Sequence, residues 1–455
     1  MDTKVVVAVI VLALVVLLWV YVGWYLAKTT SKSETFGPGY FDYNGTAPMY
    51  EEAKKAWLEA SKLGNAHASY AEAARDAIEK ARLVVLGSVG ADPNTHTVIW
   101  TSGGSESNNL VLRGMADALS QTPKPHYILS ETEHKTSLDC AKQLEQEGRI
   151  ELTILPVLTN TLVCPYTMMN ALKPNTRLVS IMHVNNESGA INNLRAYGQI
   201  IADFSKKQGL SQPIIFHTDA VQSMGKIPAL LREVVAAGQL HAISFSAHKF
   251  GGPLGCGGLI ISRELNGRLA SQISGSQNYG LRGGTDNTPG IVATGVALSI
   301  SLKDRDHKNQ LLQQKKTHIT QRLQERFPLG NFANYVGNPD TMEGTGPFRN
   351  GYQIVPMGAP ESSTVPNTLW FSIVREGPLA EHFCNLKLQK DLEGAGYIVS
   401  VGSACNTGKG SHVLQAAKAP YVIRCGIVRV SLGDQTTEND CDGLADAIVR
   451  CVDDL

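Results

Sequence analysis

The sequence lacks the patterns that would indicate a metal site, a disulfide-stapled fold or a nucleic-acid surface. Its 8 cysteines are scattered along 455 residues without a CxxC pair, and its 12 histidines include no HxxxH pair. We therefore expect neither a bound metal nor a disulfide framework, and the free thiols favour a reducing compartment. The 41 basic and 41 acidic residues cancel, so nothing indicates binding to a nucleic acid.

Charge is also missing from the beginning of the chain. Val5–Ala27 contains no charged residue, and about 20 apolar residues in a helix are enough to cross a bilayer. Trp19 and Trp24 lie near one end, as in an interfacial aromatic belt. A cleaved signal peptide would have a shorter apolar core, and a transit peptide would be rich in arginine, whereas the first arginine is Arg75. We predict a single-pass membrane anchor within residues 1–30; a buried core helix is the alternative.

Two observations favour a cytosolic location for the remainder of the chain. Lys28 and Lys32 come after the apolar run and only Lys4 precedes it, a bias that weakly favours the cytosolic side for the residues beyond the run. The glycosylation sequons Asn44-Gly-Thr46 and Asn186-Glu-Ser188 both fall within polar segments that are candidates for a functional site, where a glycan would block function.

A lysine comes after a short apolar run in Ser244-Phe-Ser-Ala-His-Lys-Phe-Gly-Gly-Pro253. The residues before it, 241–245, are typical of a buried strand. Strand ends in α/β sheets are where anionic cofactors bind. An amine at that place can form a Schiff base with pyridoxal phosphate, so Lys249 is the first candidate site residue.

Two segments upstream have the same strand-then-polar pattern. Asp219 ends the run Ile214-Ile-Phe-His-Thr-Asp219, about one βαβ unit before Lys249. An aspartate there could keep a pyridine ring protonated, although Asp is also a common helix N-cap. Val98–Thr101 leads into Gly103-Gly104-Ser105, where backbone N–H groups at a helix start could hold a phosphate.

Taken in order, these segments resemble cysteine desulfurases of the NifS/IscS type, which belong to the fold-type I, class V aminotransferase group of pyridoxal-phosphate enzymes. The resemblance extends over roughly residues 40–432. The matching segments are Tyr40–Pro48, Thr101–Asn109, Glu133–Lys135, Val179–Gly189, His217–Gln222, Ser246–Lys249, Gly280–Thr285, Val401–Cys405 and Val428–Gly433.

The resemblance implies roles for the residues that would take part in the reaction. Lys249 would hold the cofactor covalently and later move protons, and Asp219 would pair with its ring nitrogen. His134 would stack on the ring, and Arg429 would clamp the carboxylate of the substrate through a bidentate pair. Cys405 would be the nucleophile that accepts sulfur.

The resemblance also implies a set of binding residues. Gln222 and Asn186 would bind the 3-oxygen of the cofactor ring or the carboxylate of the substrate. The phosphate would be held by Gly104, Ser105, Ser246 and His248. Ser105 replaces the threonine that is usual in the family and keeps a hydroxyl. Thr285 would reach the phosphate of the partner subunit, which implies a homodimer.

The implied activity is conversion of L-cysteine to L-alanine, with the sulfur transferred to Cys405 as a persulfide for iron–sulfur cluster or other sulfur-transfer biosynthesis. Gly, Ser, Thr and Asn residues surround Cys405, which is typical of a loop rather than of a buried structural cysteine. The sequence does not identify the protein that accepts the sulfur. Two alternatives stay open: another class V enzyme, such as a selenocysteine lyase or an aminotransferase, and a non-catalytic, membrane-tethered interaction protein.

The expected fold is α/β. The resemblance implies a large domain with a mostly parallel sheet and a smaller α+β C-terminal domain. We predict the anchor in residues 1–30, a linker and N-terminal arm in 31–64, the cofactor-binding domain in 65–302, and the small domain with the Cys405 loop in 303–455. The span Gly337–Pro366 is rich in Gly, Pro, Ser and Thr and is expected to be irregular.

Overall fold

The computed structural model describes residues 15–22, 36–119, 124–210, 212–265, 267–336, 346–377, 383–402 and 411–453. Within these ranges, residues 15–22 are helical. No helix of the described ranges is long and apolar enough to cross a membrane. Most of the predicted anchor, Val5–Ala27, lies outside the described residues.

A seven-stranded sheet forms the larger layer, in the order β1-β7-β6-β5-β4-β2-β3. Its strands are β1 (His96–Thr101), β2 (His126–Ser130), β3 (Glu151–Leu155), β4 (Thr176–Ser180), β5 (Ile215–Asp219), β6 (Ala242–Ser246) and β7 (Gly257–Ser262). The pairs from β6 through β3 are parallel, whereas β7 runs antiparallel to both of its neighbours. The predicted α/β fold with a mostly parallel sheet is therefore confirmed.

Helices pack on both faces of this sheet. They are α1 (Glu51–Ala60), α2 (Glu72–Ser88), α3 (Gly104–Ala118), α4 (Lys135–Gln146), α5 (Pro165–Ala171), α6 (Leu194–Lys207), α7 (Pro228–Ala236) and α8 (Thr288–Leu302). Neighbouring residues of one strand enter opposite cores: Ile215 joins the core that contains Leu112, and Phe216 joins the core that contains Leu298. Both faces are covered, which is why the strands read as apolar runs.

Helix α6 illustrates how local sequence sets these elements. Asn193 caps it by accepting a hydrogen bond from the Ala196 N–H at 3.1 Å. Leu194, Tyr197 and Ile201 are buried on one side, which is the helical spacing of an amphipathic segment. Lys206 and Lys207 end the helix, where positive charge favours the carbonyl end of the helix dipole.

A smaller antiparallel sheet has the order β10-β9-β8. Its strands are β8 (Tyr352–Pro356), β9 (Thr368–Arg375) and β10 (Ile427–Ser431), and the helices after residue 303 are α9 (Arg305–Arg326), α10 (Asn385–Gly394), α11 (His412–Ala416), α12 (Tyr421–Cys425) and α13 (Glu438–Asp453). The predicted boundary at residue 302 falls between α8 and α9, and the two-domain division itself stays a prediction.

Strand β8 corrects the expectation of an irregular span between residues 337 and 366. It forms within that span and pairs with β9 over its full length. Pro356 ends it at the edge of the sheet, where the missing N–H of a proline costs no ladder hydrogen bond. The abundance of turn-forming residues therefore concealed one short strand.

The segment after residue 39 joins the smaller sheet, although it lies far from it in sequence. Asp42 forms a bridge with Ser431, and Tyr40 forms one with Ile398. Phe41 is fully buried in the core that also contains Phe371. This arm therefore brings the next residues of the chain, beginning with Asn44, to the space between the two sheets.

Candidate active site

A cavity of about 260 Å³ lies where strands β4, β5 and β6 end and strand β10 faces them. Ten of the residues predicted for the site line it. They are Gly104, Ser105, His134, Asn186, Asp219, Gln222, Ser246, His248, Lys249 and Arg429. They come from segments up to 325 positions apart in the chain, and the carboxyl ends of the parallel strands account for most of the convergence.

Lys249 lies just beyond strand β6 and places its amine between two backbone carbonyls. Its Nζ donates to the oxygen of Asn44 at 2.8 Å and to the oxygen of Gly45 at 2.5 Å. Burial lowers the pKa of Lys249 to about 8, and the Arg429 guanidinium acts in the same direction. The uncharged amine, which condensation with an aldehyde requires, is therefore populated at a lower pH than in an exposed lysine.

Asp219 ends strand β5 and is 6% exposed. Its Oδ2 accepts from Asn108 Nδ2 at 2.8 Å, and its Oδ1 accepts from the Val221 N–H at 2.9 Å. The second bond is the turn-forming contact that a capping aspartate makes. Because two donors fix the carboxylate, its position at the wall of the cavity is determined by the fold.

The N-terminus of α3 provides a place for a phosphate. Gly103 has φ 151° and ψ −174°, a conformation that is essentially restricted to glycine. A Cβ on Gly104 would lie 2.5 Å from Cγ2 of Val221, so a side chain would fill this space. The N-cap residue Gly103 offers no side-chain acceptor to the helix, and Gly104 and Ser105 of the first turn line the cavity together with Ser246.

Two histidines, His134 and His248, line the cavity. His134 caps α4, and its Nδ1 is 2.8 Å from the Thr136 hydroxyl, so Nε2 is left for other contacts. His248 Nδ1 is 3.0 Å from the Thr46 hydroxyl. Burial lowers the pKa of both rings, and that of His248 falls to about 4 with Lys249 acting in the same direction. A neutral ring can stack on an aromatic cofactor or donate one N–H without adding charge.

Arg429 enters the cavity from strand β10 and already has two partners. Its Nη2 donates to Oδ1 of Asp42 at 2.5 Å, and its Nη1 donates to the backbone oxygen of Asn186 at 2.8 Å. Within the described residues, Nε has no hydrogen-bond partner. Since a guanidinium carries five N–H groups, donors remain for a ligand carboxylate.

The residues present fit pyridoxal phosphate. An amine with a lowered pKa, a fixed carboxylate and a glycine-bounded helix N-terminus surround one cavity. These are the groups that would engage an aldehyde, a pyridine nitrogen and a phosphate, respectively. Lys249, Asp219 and Gly104 would therefore hold the corresponding parts of the cofactor.

Two predicted residues are not part of this cavity as the structure describes it. Thr285 is exposed and does not line it. Cys405 lies outside the described residues, between Gly402 and Ser411. On the far side of that span, Ser411 Oγ donates to Glu187 Oε2 at 2.6 Å, and His412 Nε2 lies 2.9 Å from the backbone oxygen of Glu133.

The structure adds residues to which the sequence patterns assign no role. Asn108 lies four positions after Gly104, so the helical repeat of α3 could have placed both on one face. Asn44 and Asp42 lie in the segment Tyr40–Pro48, but nothing local indicates that they contact Lys249 and Arg429. Lys226 lies in a turn after Gln222, and no sequence pattern indicates a role for it.

Comparisons with known proteins agree with this geometry. The sequence model of the class-V aminotransferase family matches residues 39–341. The chain is 33% identical to cysteine desulfurase IscS of Dictyoglomus turgidum over 425 residues, 91% of this chain and 95% of that protein. It is 36% identical to cysteine desulfurase IscS of Rickettsia massiliae over 312 residues, 66% of this chain and 72% of that protein. A solved NifS-like protein superposes with a TM-score of 0.75 at 28% identity, covering 91% of this chain and 99% of that one.

Proposed function

The chain belongs to the class-V aminotransferase family, and from this premise we propose that it is a pyridoxal-phosphate-dependent cysteine desulfurase. It converts L-cysteine to L-alanine and transfers the sulfur to one of its own thiols. The observation that carries the proposal is the convergence of the Lys249 amine, the Asp219 carboxylate and the Arg429 guanidinium on one cavity. The cysteine desulfurase IscS of Dictyoglomus turgidum, matched over most of both chains, supports it.

Each of the main cavity residues has a separate role in the reaction. When bound, the cofactor supplies an electron sink for the substrate α-carbon. Arg429 orients the substrate through its carboxylate, and Asp219 holds a proton on the pyridine nitrogen. Lys249 Nζ takes the α-proton, for which burial has lowered its pKa to about 8. Asn44 and Gly45 keep that amine at the cavity wall between these steps.

We propose that Cys405 accepts the sulfur. Its thiolate attacks the substrate sulfur, so that an S–S bond forms while the substrate C–S bond breaks. The electron pair of that bond stays with the substrate carbon, which takes up a proton on the way to alanine. Cys405 lies five residues after Ser400, and such a length of chain spans at most about 17 Å. Ser400 pairs with Arg429 through two backbone hydrogen bonds, so this length of chain is enough for the Cys405 thiol to reach the substrate side of the cavity.

Replacing Cys405 with alanine tests this function directly. We expect the Cys405→Ala variant to bind pyridoxal phosphate as the native protein does, because the cofactor contacts are elsewhere. Sulfide release from L-cysteine with a reductant should fall at least about 100-fold, since the sulfur acceptor is gone. The measurement is parallel quantification of alanine and sulfide in both proteins, with the visible absorption of the bound cofactor recorded.

Cys384 provides the matched control, because it is an exposed free cysteine that also belongs to the C-terminal span 303–455. Cys384→Ala should keep the native rate and equal yields of alanine and sulfide. Native sulfide release by Cys405→Ala would show that this mechanism is wrong. A keto acid in place of alanine would identify an aminotransferase, and preference for selenocysteine would identify a selenocysteine lyase.

We further propose that the enzyme is a homodimer in which Thr285 of a second copy completes the phosphate site. Thr285 is exposed here. Leu254 and Tyr279, which precede it in the stretch of chain after Lys249, are 74% and 53% exposed. Exposed apolar side chains that form one patch are typical of an interface, and we propose that these two contribute to it. Sedimentation analysis should give the mass of two chains, and a fully active single chain would contradict the proposal.

The N-terminal anchor is proposed from the sequence, with the catalytic region on the cytosolic side. The described part of the segment, 15–22, is helical, and its Leu17 and Trp19 are 63% and 74% exposed. Exposed apolar surface of this kind is unfavourable in water and favourable in lipid. We expect the full chain to remain with membranes after an alkaline wash, whereas a chain beginning at Thr35 should not. Equal release of the two would contradict the anchor.

A further inference from the structure

Lys226 is a lysine beside the active site to which neither the sequence segments nor the reaction assigns a role. Its Nζ donates to Oε1 of Gln222 at 2.9 Å and to Oδ1 of Asn44 at 3.2 Å. It does not line the cavity of about 260 Å³. It lines a separate cavity of about 50 Å³, which Lys249 lines as well. Lys226 thus lies behind the residues that face the cofactor.

The contact with Lys226 determines how the Gln222 amide is turned. The oxygen and nitrogen of a glutamine amide have nearly the same size and shape, so the orientation of the amide is assigned from the hydrogen-bond partners of the two atoms. The charged form of Lys226 can only donate, and Oε1 of Gln222 therefore faces it, at 2.9 Å. The amide nitrogen then faces the cavity side, where it donates to the backbone oxygen of Asn44 at 2.9 Å. Its second N–H is left for a ligand.

The same ammonium orients a second amide. Oδ1 of Asn44 accepts from Lys226 and also from Asn367 Nδ2 at 3.1 Å. The Asn44 Nδ2 group must therefore donate, and it does so to the Thr368 hydroxyl at 2.9 Å. Because the backbone oxygen of Asn44 also receives Lys249 Nζ, Lys226 supports the residue that holds the reactive amine.

The surroundings of Lys226 make its charge costly, and its hydrogen bonds offset only part of that cost. Burial lowers the pKa of Lys226 to about 7. The cations Lys249, Arg429 and Arg305 act in the same direction, and only Asp434 opposes them. A methionine in this place would avoid the cost but would leave Oε1 of Gln222 without this donor and Oδ1 of Asn44 with Asn367 Nδ2 alone.

We propose that Lys226 is a positioning residue that acts through Gln222: it fixes the amide so that an N–H of Gln222 points at the ring 3-oxygen of the cofactor. The inference rests on the proposed function, in which Gln222 contacts that oxygen. Lys226 touches neither substrate nor cofactor, so its effect should be visible in the electronic state of the bound cofactor before any turnover.

The test is a pH titration of the visible absorption of the loaded protein without substrate. The absorption reports the protonation of the nitrogen that joins Lys249 to the cofactor. A donor at the ring oxygen competes with this protonated nitrogen for the same oxygen, and a nearby cation disfavours its charge. Lys226→Met removes both influences, so the titration midpoint should rise by about 1 pH unit. The groups that also act on Lys249, namely Arg429, Asp42 and Asp219, are unchanged.

A double-mutant cycle separates action through Gln222 from a simple loss of charge. In the Gln222→Ala background the further change Lys226→Met should move the midpoint by less than half of what it does in the native background. Independent, additive shifts would overturn the proposal. Lys316 is the matched control, because it is a buried lysine whose pKa burial lowers to about 8 and it does not line either cavity. Lys316→Met should leave the midpoint in place.

The outcomes distinguish this inference from the function on which it rests. A native protein that never takes up pyridoxal phosphate would overturn both. A midpoint that Gln222→Ala does not move would overturn the role of Gln222 and the inference with it, but not the desulfurase activity. A shift with Gln222→Ala and none with Lys226→Met would overturn the inference alone. If the methionine variant does not fold, Lys226→Gln, which keeps a donor of similar length, should shift the midpoint in the same direction by a smaller amount.

Discussion

Replacing Lys249 with alanine should lower sulfide release from L-cysteine by at least about 1,000-fold. A proton transfer by a positioned side chain contributes about 100- to 10,000-fold, and the variant also loses the covalent attachment of the cofactor. Among the described residues that line the cavity, Lys249 is the only lysine. Lys226, the nearby lysine that hydrogen-bonds Gln222 and Asn44, does not line this cavity and is not placed to take over either task.

The pH dependence of cofactor uptake tests the lowered pKa of the Lys249 amine independently. Only the uncharged amine condenses with an aldehyde, and burial lowers the pKa of Lys249 to about 8. The rate at which the native apoprotein takes up pyridoxal phosphate should rise with pH up to about 8 and then level off. An exposed lysine, with a pKa of about 10.4, would give a rise that continues above pH 9.

One further variant and one rescue experiment support the interpretation of the Lys249→Ala result. Lys316→Ala removes a buried lysine with a similarly lowered pKa that does not line the cofactor cavity, and it should keep the native rate. Lys249→Ala should recover part of its activity when methylamine is added, because a small amine can enter the space left by the side chain. A variant that keeps more than a tenth of native turnover without an added amine would contradict the assignment of Lys249.

The parts of this site that sequence reasoning predicts are those that depend directly on local pattern. Strands β5 and β6 are apolar runs that end in Asp219 and near Lys249, and the parallel pairing brings both ends to one edge. The antiparallel direction of β7 also has a local signal. Only ten residues, including Gly251-Gly252-Pro253, separate β6 from β7, which is too short for a crossover helix and long enough for a turn.

Contacts that cross the chain could not be predicted in this way. Asn44 meets Lys249 and Lys226 across about 200 positions, and Asp42 meets Arg429 across 387. Their geometry depends on how the arm after residue 39 joins the smaller sheet, where Phe41 is buried. That packing depends on the whole core, so a motif of a few residues cannot predict it.

The contact between Asp42 and Arg429 leads to the second large effect. Arg429→Lys should lower kcat/KM for L-cysteine by about 10- to 100-fold, because a charge-assisted hydrogen bond contributes about 1.5–3 kcal/mol. A lysine carries its charge at one point and cannot hold Asp42, the Asn186 oxygen and a substrate carboxylate in one fixed arrangement. Arg429→Met, which also leaves Asp42 unpaired in a half-buried place, should lower it by about 1,000-fold.

The division of this loss between kcat and KM distinguishes substrate binding from cofactor binding. Arg429→Lys keeps a positive charge near Lys249, on whose pKa Arg429 acts, so the visible spectrum of the bound cofactor should stay close to native in this variant. An interaction made equally with substrate and transition state appears in KM, and we expect most of the change there. Steady-state kinetics over a range of L-cysteine concentrations, with the spectrum recorded for each protein, measures both.

Arg305 supplies the control for damage to the fold. It is 8% exposed and pairs with Asp434 at 2.9 Å, and like Arg429 it is an arginine held by an aspartate near the junction of the two sheets. It does not line the cofactor cavity. Arg305→Lys should lower the free energy of unfolding while KM for L-cysteine stays within about twofold of native. Arg429→Lys could behave in the same way, with a lower free energy of unfolding and a native KM. In that case Arg429 would be only a structural partner of Asp42, and the carboxylate of the substrate would have to be bound elsewhere.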